Sequence, residues 1–408
     1  SYLFQKNLYL CCMKRKYILL FILCCLSFQP VLAARHYTVI VSLDGFRWDY
    51  PQWYNTPFLD FMAEKGVESG LIPSYPSKTF PNHYALATGL YPDHHGIIAN
   101  SFYDRSTGET FSLGNPKTKT DPHFYGGEPI WITAKRQGLK TAVIYWPGSD
   151  VKIKGEYPDT YYIYDQQPQL TFAQRMDSVV SELALPENKR PQLIMAYLSE
   201  PDGYGHNYGP QSRQVRKAVV MCDSLLNHLY NKISKLSVAK DVNIIVVSDH
   251  GMEFVPSSHN VNLSKYIKQS WVKMADGNAP AEIYARKGCV DSIYNALKDI
   301  PHIRVWKRNE IPAELHYGTN PRIGDVIIDP ELGYSIDKKD NIPDGGTHGY
   351  DPSYMEMHAV FRAMGPDFIH IRHSHFKNVD VYPLLCHLLN IQPAKNDGSF
   401  EEIKDIVK

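Results

Sequence analysis

The chain has no surplus of charge. Lys plus Arg and Asp plus Glu both number 43 in 408 residues, which offers no basic face to duplex nucleic acid or to an anionic membrane. It also lacks a disulfide framework. Of seven cysteines, Cys11, Cys12, Cys24 and Cys25 crowd the N-terminus, and Cys222, Cys289 and Cys386 are far apart and odd in number. That excludes both a cystine-stapled fold and a thiolate-ligated zinc site. Cys386, inside the apolar run 382–389, reads as a buried core thiol. No internal repeat or low-complexity tract is present. Long apolar runs are missing as well, since the one at 17–28 is short for a bilayer crossing. Preceded by Met13-Lys14-Arg15-Lys16 and followed by Val31-Leu32-Ala33-Ala34, it reads as a signal peptide. The expected processing segment is 1–34, cleaved near Ala33/Ala34, with residues 1–12 upstream of the natural start. An uncleaved anchor is the alternative that the short run disfavours. The expectation is a periplasmic or secreted protein of bacterial type, with no stable membrane anchor after cleavage.

What the chain does have is a series of strand-length apolar runs that end in polar or Gly residues. His36 to Leu43 ends at Asp44-Gly45, Lys140 to Tyr145 at Trp146-Pro147-Gly148, Leu193 to Leu198 at Ser199-Glu200-Pro201-Asp202, and Asn243 to Val247 at Ser248-Asp249-His250-Gly251. Near-continuous rather than alternating hydrophobicity predicts strands buried on both faces of a mostly parallel sheet. Helical patterns at 57–65, 130–137, 172–183 and 212–236 alternate with them, so the fold class is α/β, doubly wound. From about 260 to 340 the texture changes to short strands (281–285, 303–307, 324–328) and one helix (290–298), read as a small α+β insert. The catalytic domain is then 35–259 and 341–408, its sheet resuming at 356–361 and closed by a helix at 378–389. The polar turn Asp337 to Asn341 reads as solvated.

In doubly wound sheets ligands bind beyond the carboxyl ends of the strands, and Asp44, Asp202, Asp249 and His250 sit there. A single Asp after a strand is ordinarily a turn or helix cap; three acids at three strand ends, two with a His within a turn, are not. Asp202-Gly203-Tyr204-Gly205-His206 puts carboxylate and imidazole four residues apart on a Gly-rich loop, and His348 lies between Thr347 and Gly349 in a Gly-rich stretch. Thr79 adds a hydroxyl between Pro76 and Pro81, in a stiff turn ahead of a helix expected from Tyr84. These seven N/O groups, with no sulfur, suit zinc better than manganese or iron. They exceed one tetrahedral ion's needs, so two metals are expected, as in enzymes whose paired ions clamp the attacking and leaving oxygens at phosphorus. A metal-bound Thr79 would then be the nucleophile.

Seven stretches in order carry a resemblance: Ser42-Leu43-Asp44-Gly45, Lys78-Thr79-Phe80-Pro81-Asn82-His83, His95-Gly96-Ile97-Ile98-Ala99-Asn100, Trp146-Pro147-Gly148-Ser149, Glu200-Pro201-Asp202 with Gly205-His206, Ser248-Asp249-His250-Gly251-Met252, and Thr347-His348-Gly349-Tyr350. The chain resembles the nucleotide pyrophosphatase/phosphodiesterase family of the alkaline phosphatase superfamily, as a stand-alone catalytic unit. The resemblance implies two Zn2+ per chain, one held by Asp202, His206 and His348 and the other by Asp44, Asp249, His250 and Thr79. It implies a covalent Thr79 phospho-enzyme, and an Asn100 that binds the phosphate oxygen together with the Thr79 N–H, an oxyanion-type role. Phe80 and Tyr164 would sandwich a nucleobase, with Tyr161 or Tyr162 as substitutes for Tyr164, and Trp146 and Asp150 would shape that pocket. No Arg neighbours Thr79, and Lys78 is expected away from the site or at its rim, which favours a singly charged diester over a monoester dianion. The expected function is hydrolysis of nucleotide phosphodiester or pyrophosphate bonds to nucleoside 5′-monophosphates. The alternatives are a choline-phosphodiester or lysophospholipid phosphodiesterase and, from another class, a catalytically inactive nucleotide-binding protein.

Overall fold

A computed structural model describes residues 36–340 and 342–408. The expected signal segment and its cleavage site lie outside the described residues, among which no helix is long and apolar enough to cross a membrane. The apolar runs fold into the strands β1 (Tyr37–Leu43), β2 (Val67–Ile72), β3 (Thr141–Ile144), β4 (Thr160–Tyr161), β5 (Leu193–Leu198), β6 (Val242–Val247) and β7 (Ala359–Met364). The main sheet runs β2-β7-β6-β1-β5-β3-β4, with Ile371–Arg372 and Phe376–Lys377 both pairing β2 at its outer edge. Every residue of β1, β3, β5, β6 and β7 is buried, because helices cover both faces. Helices Pro57–Lys65, Phe172–Leu183 and Arg213–Ile233 pack on one side of the sheet. Ile130–Arg136 and Val381–Leu388 pack on the other. Cys222 and Cys386 are buried free thiols within these two layers.

β1 pairs in parallel with both β5 and β6, Leu43 opposite Leu198 and Ser42 opposite Val247. Three carboxyl ends are thereby level at one sheet edge, and the residues that follow them meet. β7 runs antiparallel to β6 and β2, so its N-terminal end lies at this edge and His348, ahead of it, comes to the same place. β2 carries Glu68, Ser69 and Gly70 mid-strand, and this polar texture hid it from a search for apolar runs.

A separate four-stranded antiparallel sheet joins Val272–Gly277, Ala281–Ala285, Val326–Pro330 and Ile303–Lys307, in that order, with helix Val290–Leu297 on it. It reaches the main sheet's edge through Asn278, whose amide donates to Thr347 Oγ1 and whose Oδ1 accepts from Lys78 Nζ at 3.2 Å. Lys78 is therefore not at a rim. It is buried, and desolvation draws its pKa down to about 8.

Candidate active site

Two local expectations need correction, and both tighten the site. The helix expected from Tyr84 starts five residues earlier: α1 (Thr79–Thr88) has Lys78 as its N-cap residue, which makes Thr79 the first helical residue. Pro81 is tolerated there because the first-turn N–H groups have no intrahelical acceptor. The stretch around Asp202 is no loop but helix α2 (Asp202–Tyr208), and its four-residue spacing puts Asp202 and His206 on one face, a turn apart. Gly345–Thr347 forms a short strand antiparallel to Glu253–Val255. Gly346 lies so near α2 that a Cβ there would come within 2.5 Å of Gly205 O, and this close approach delivers His348 beside His206.

Two trios result. In the first, His250 Nε2 is 3.0 Å from Asp249 Oδ2, 3.4 Å from Asp44 Oδ1 and 3.2 Å from Thr79 Oγ1. In the second, His206 Nε2 and His348 Nε2 are 3.2 Å apart, and 3.5 and 3.6 Å from Asp202 Oδ1. The rings of His250 and His348 stack at 3.5 Å between centroids, so the trios adjoin.

The second partner of each ring fixes its tautomer. His250, His206 and His348 each turn Nδ1 to a carbonyl oxygen, of Gly251, Gly346 and Ser77 respectively. A carbonyl only accepts, so Nδ1 carries the hydrogen and Nε2 presents a lone pair. Two imidazole lone pairs facing each other at 3.2 Å repel unless a proton or a cation lies between them. Asp44 Oδ1, Asp202 Oδ1 and Asp249 Oδ2 are buried with no hydrogen-bond partner among the described residues, an arrangement costly for carboxylates unless a cation compensates. The electrostatics divide: against burial, Asp249 holds His250 above its usual range, and against burial His250 and His83 hold Asp249 well below its own, whereas Asp44 and His348 shift the other way. Burial, then Asp249 and Asp202, hold the Asp44 carboxyl well above its usual range. Burial, then His250 and His206, hold His348 well below its own. All-N/O donors, orphaned oxygens and aimed lone pairs fit divalent cations of the zinc type.

Beside Thr79 opens a cavity of about 210 Å³ lined by Phe80, Lys119, Trp146, Asp150, Tyr162 and Tyr164 among others. Phe80 and Trp146 are almost wholly buried, and Trp146 donates Nε1–H to His83 O at 3.0 Å. Asp150 Oδ2 accepts the Tyr164 N–H at 3.2 Å, which anchors that wall. Of the substitutes for Tyr164, Tyr162 also lines the cavity, whereas Tyr161 is stacked on Tyr157 at 4.7 Å. Asn100 accepts the Phe80 N–H, next to Thr79, through Oδ1 at 3.0 Å, which leaves its NH2 group free to donate elsewhere.

Sequence reasoning gave no role to His83 or Tyr197. His83 lies one turn after Thr79, with Nδ1 3.0 Å from Thr79 O and 3.3 Å from Asp249 Oδ2, and Nε2 2.8 Å from Ser42 Oγ. Ser42, His83 and Asp249 mimic a hydrolytic triad, but all three are fully buried, and no substrate reaches that serine. The i,i+4 spacing from Thr79 was the available signal for His83.

The family model for type I phosphodiesterase / nucleotide pyrophosphatase matches residues 38–351. Venom phosphodiesterase CdcPDE of Crotalus durissus collilineatus is 36% identical over 386 residues, covering 91% of this chain and 46% of its own length. The human ectonucleotide pyrophosphatase/phosphodiesterase family member 1 is 36% identical over 389 residues, covering 91% of this chain and 42% of its own. The chain thus spans less than half the length of these relatives. Among solved structures, murine ectonucleotide pyrophosphatase/phosphodiesterase 5, an inactive threonine-to-alanine variant in complex with AMP, superposes with a TM-score of 0.87 at 32% identity. That match covers 91% of this chain and 100% of the murine one. With the family model matching over most of the chain, and with fold and sequence relatives agreeing, this chain belongs to the type I phosphodiesterase / nucleotide pyrophosphatase family.

Proposed function

We propose that the chain hydrolyses phosphodiester and pyrophosphate bonds of small nucleotides, releasing nucleoside 5′-monophosphates, with two zinc ions and Thr79 as nucleophile. The observation that carries this reading is the pair of trios, with three orphaned carboxylate oxygens and three aimed imidazole nitrogens, next to the Thr79 hydroxyl. Zinc bound there would supply Lewis acidity to the oxygens at phosphorus. The chain's own residues do the rest. Asp44, Asp249, His250 and Thr79 would hold one ion, and Asp202, His206 and His348 the other. Thr79 Oγ1 forms a bond to phosphorus as the bond to the leaving oxygen breaks, and water then cleaves the Thr79 ester and restores the hydroxyl. Asn100 and the first-turn N–H of α1 donate to the non-bridging oxygen. Phe80 and Tyr164 flank the base, with Trp146 and Asp150 closing the pocket.

The inactive threonine-to-alanine relative seen with AMP supports a nucleotide in this cavity and a threonine at the chemistry. A quaternary ammonium would need the aromatic wall that Lys119 already faces, with Nζ 5.3 Å over the Tyr164 ring, so the choline-ester alternative is the poorer fit. A complete donor set beside a hydroxyl argues against an inactive binding protein. The test is turnover of p-nitrophenyl thymidine 5′-monophosphate against p-nitrophenyl phosphate, with and without chelator. The diester should be strongly preferred and chelation should abolish its turnover. Preference for the monoester, or indifference to chelator, would sink the reading.

A further inference from the structure

Tyr197 belongs to two parts of the molecule at once. Its ring lines the cavity beside Thr79, and its hydroxyl donates to Asp44 Oδ2 at 2.5 Å. The residue is buried in β5 and firmly held. Its carbonyl accepts from Nη1 of the buried Arg175 at 2.7 Å, and the His83 ring meets the phenol edge-on at 5.0 Å. A carboxylate accepts through both oxygens. With Oδ2 engaged by the phenol, Asp44 presents only Oδ1, the oxygen that is buried, without a partner among the described residues, and 3.4 Å from His250 Nε2.

We infer that Tyr197 is a positioning residue: its hydroxyl fixes the Asp44 carboxylate so that one oxygen faces the cation beside Thr79, while its ring forms a wall of the substrate cavity. This rests on the two-ion reading above. A hydrogen-bonding partner behind a metal ligand holds the ligand's orientation, and its loss weakens metal affinity by about 10–100-fold. The position of Tyr197 also makes the effect selective. It touches neither Asp202, His206 nor His348 by any hydrogen bond found among the described residues, so only one ion should respond.

The test is chelator titration of zinc-loaded wild-type protein and of Tyr197→Phe, which keeps the ring and removes one oxygen. Tyr164→Phe, on the same cavity wall but without a bond to Asp44, is the control. One of the two ions should leave Tyr197→Phe at about 10–100-fold lower chelator concentration, while the other, and both ions of Tyr164→Phe, leave as in wild type. The kcat for p-nitrophenyl thymidine 5′-monophosphate should fall with KM held within about twofold, since uniform binding through the ring is retained. The Tm of the metal-free variant should match that of metal-free wild type. Unchanged release of both ions would overturn the inference. So would equal weakening of both ions with a lowered metal-free Tm, or failure to fold, since each marks a packing role. Wild-type protein that takes up no zinc is a different result, and it would bring down the two-ion reading itself.

Discussion

The two trios are built from the same residue types on different supports. Asp44, Asp249 and His250 follow strand ends, and their side chains are 4%, 0% and 0% exposed. Asp202 and His206 ride on α2, with His348 on a Gly-flanked segment, and their side chains are 18%, 39% and 5% exposed. The strand-end trio is locked from behind by Tyr197 on Asp44 and by the Gly45 N–H and Ser248 hydroxyl on Asp249 Oδ1. The helix-borne trio is open to solvent on the His206 side. The strand-end trio beside Thr79 is therefore the more firmly held, and the helix-borne trio the more accessible to water. Side chains held from behind by packing and hydrogen bonds keep their geometry more firmly than side chains open to solvent.

Substitutions should expose this asymmetry. Thr79→Ala, which removes the proposed nucleophile and leaves the Asp and His members of both trios in place, should lower kcat/KM by at least about 10³-fold even in assays saturated with zinc. Full activity would exclude the covalent route. Asp249→Asn strikes the buried trio. A ligand's loss should cost no less than an outer partner's, so activity should drop at least about 100-fold, and excess zinc should not restore it. His206→Ala strikes the open trio, where water can replace the imidazole. There the loss should be nearer tenfold and should be reversed by added zinc in steady-state assays. Equal, unrescued losses in these two variants would erase the proposed difference. Phe80→Ala touches neither trio. Losing one stacking face, worth about 1 kcal/mol at the low end, should raise KM for p-nitrophenyl thymidine 5′-monophosphate about fivefold and leave bis-p-nitrophenyl phosphate unaffected. Equal effects on the two substrates would argue against base stacking.

The same contrast explains what the sequence disclosed. Apolar runs ending in Asp44, Asp202 and Asp249 announced the doubly wound sheet and its loaded edge, because buried parallel strands leave an uninterrupted hydrophobic record. β2, with Glu68 and Gly70 inside it, left none. The Asp202 stretch read as a loop because two glycines lower helix propensity, yet packing against Gly345 and Gly346 holds it helical. Thr79 was visible as a hydroxyl in a stiff turn, but its place at the start of α1 depended on tertiary contacts such as Phe80 N–H to Asn100. Tyr197 was hidden among the apolar residues of β5. Only the register with β1, which sets Ser42 opposite Tyr197, brings its hydroxyl to Asp44.

Two cations are proposed to sit side by side in trios of unequal exposure. The most direct measurement is anomalous scattering at the zinc edge from crystals of the zinc-loaded protein. Two peaks per chain are expected, one among Asp44, Thr79, Asp249 and His250 and one among Asp202, His206 and His348, with the second lost first as chelator is soaked in. A single peak, or ions bound away from these residues, would contradict it.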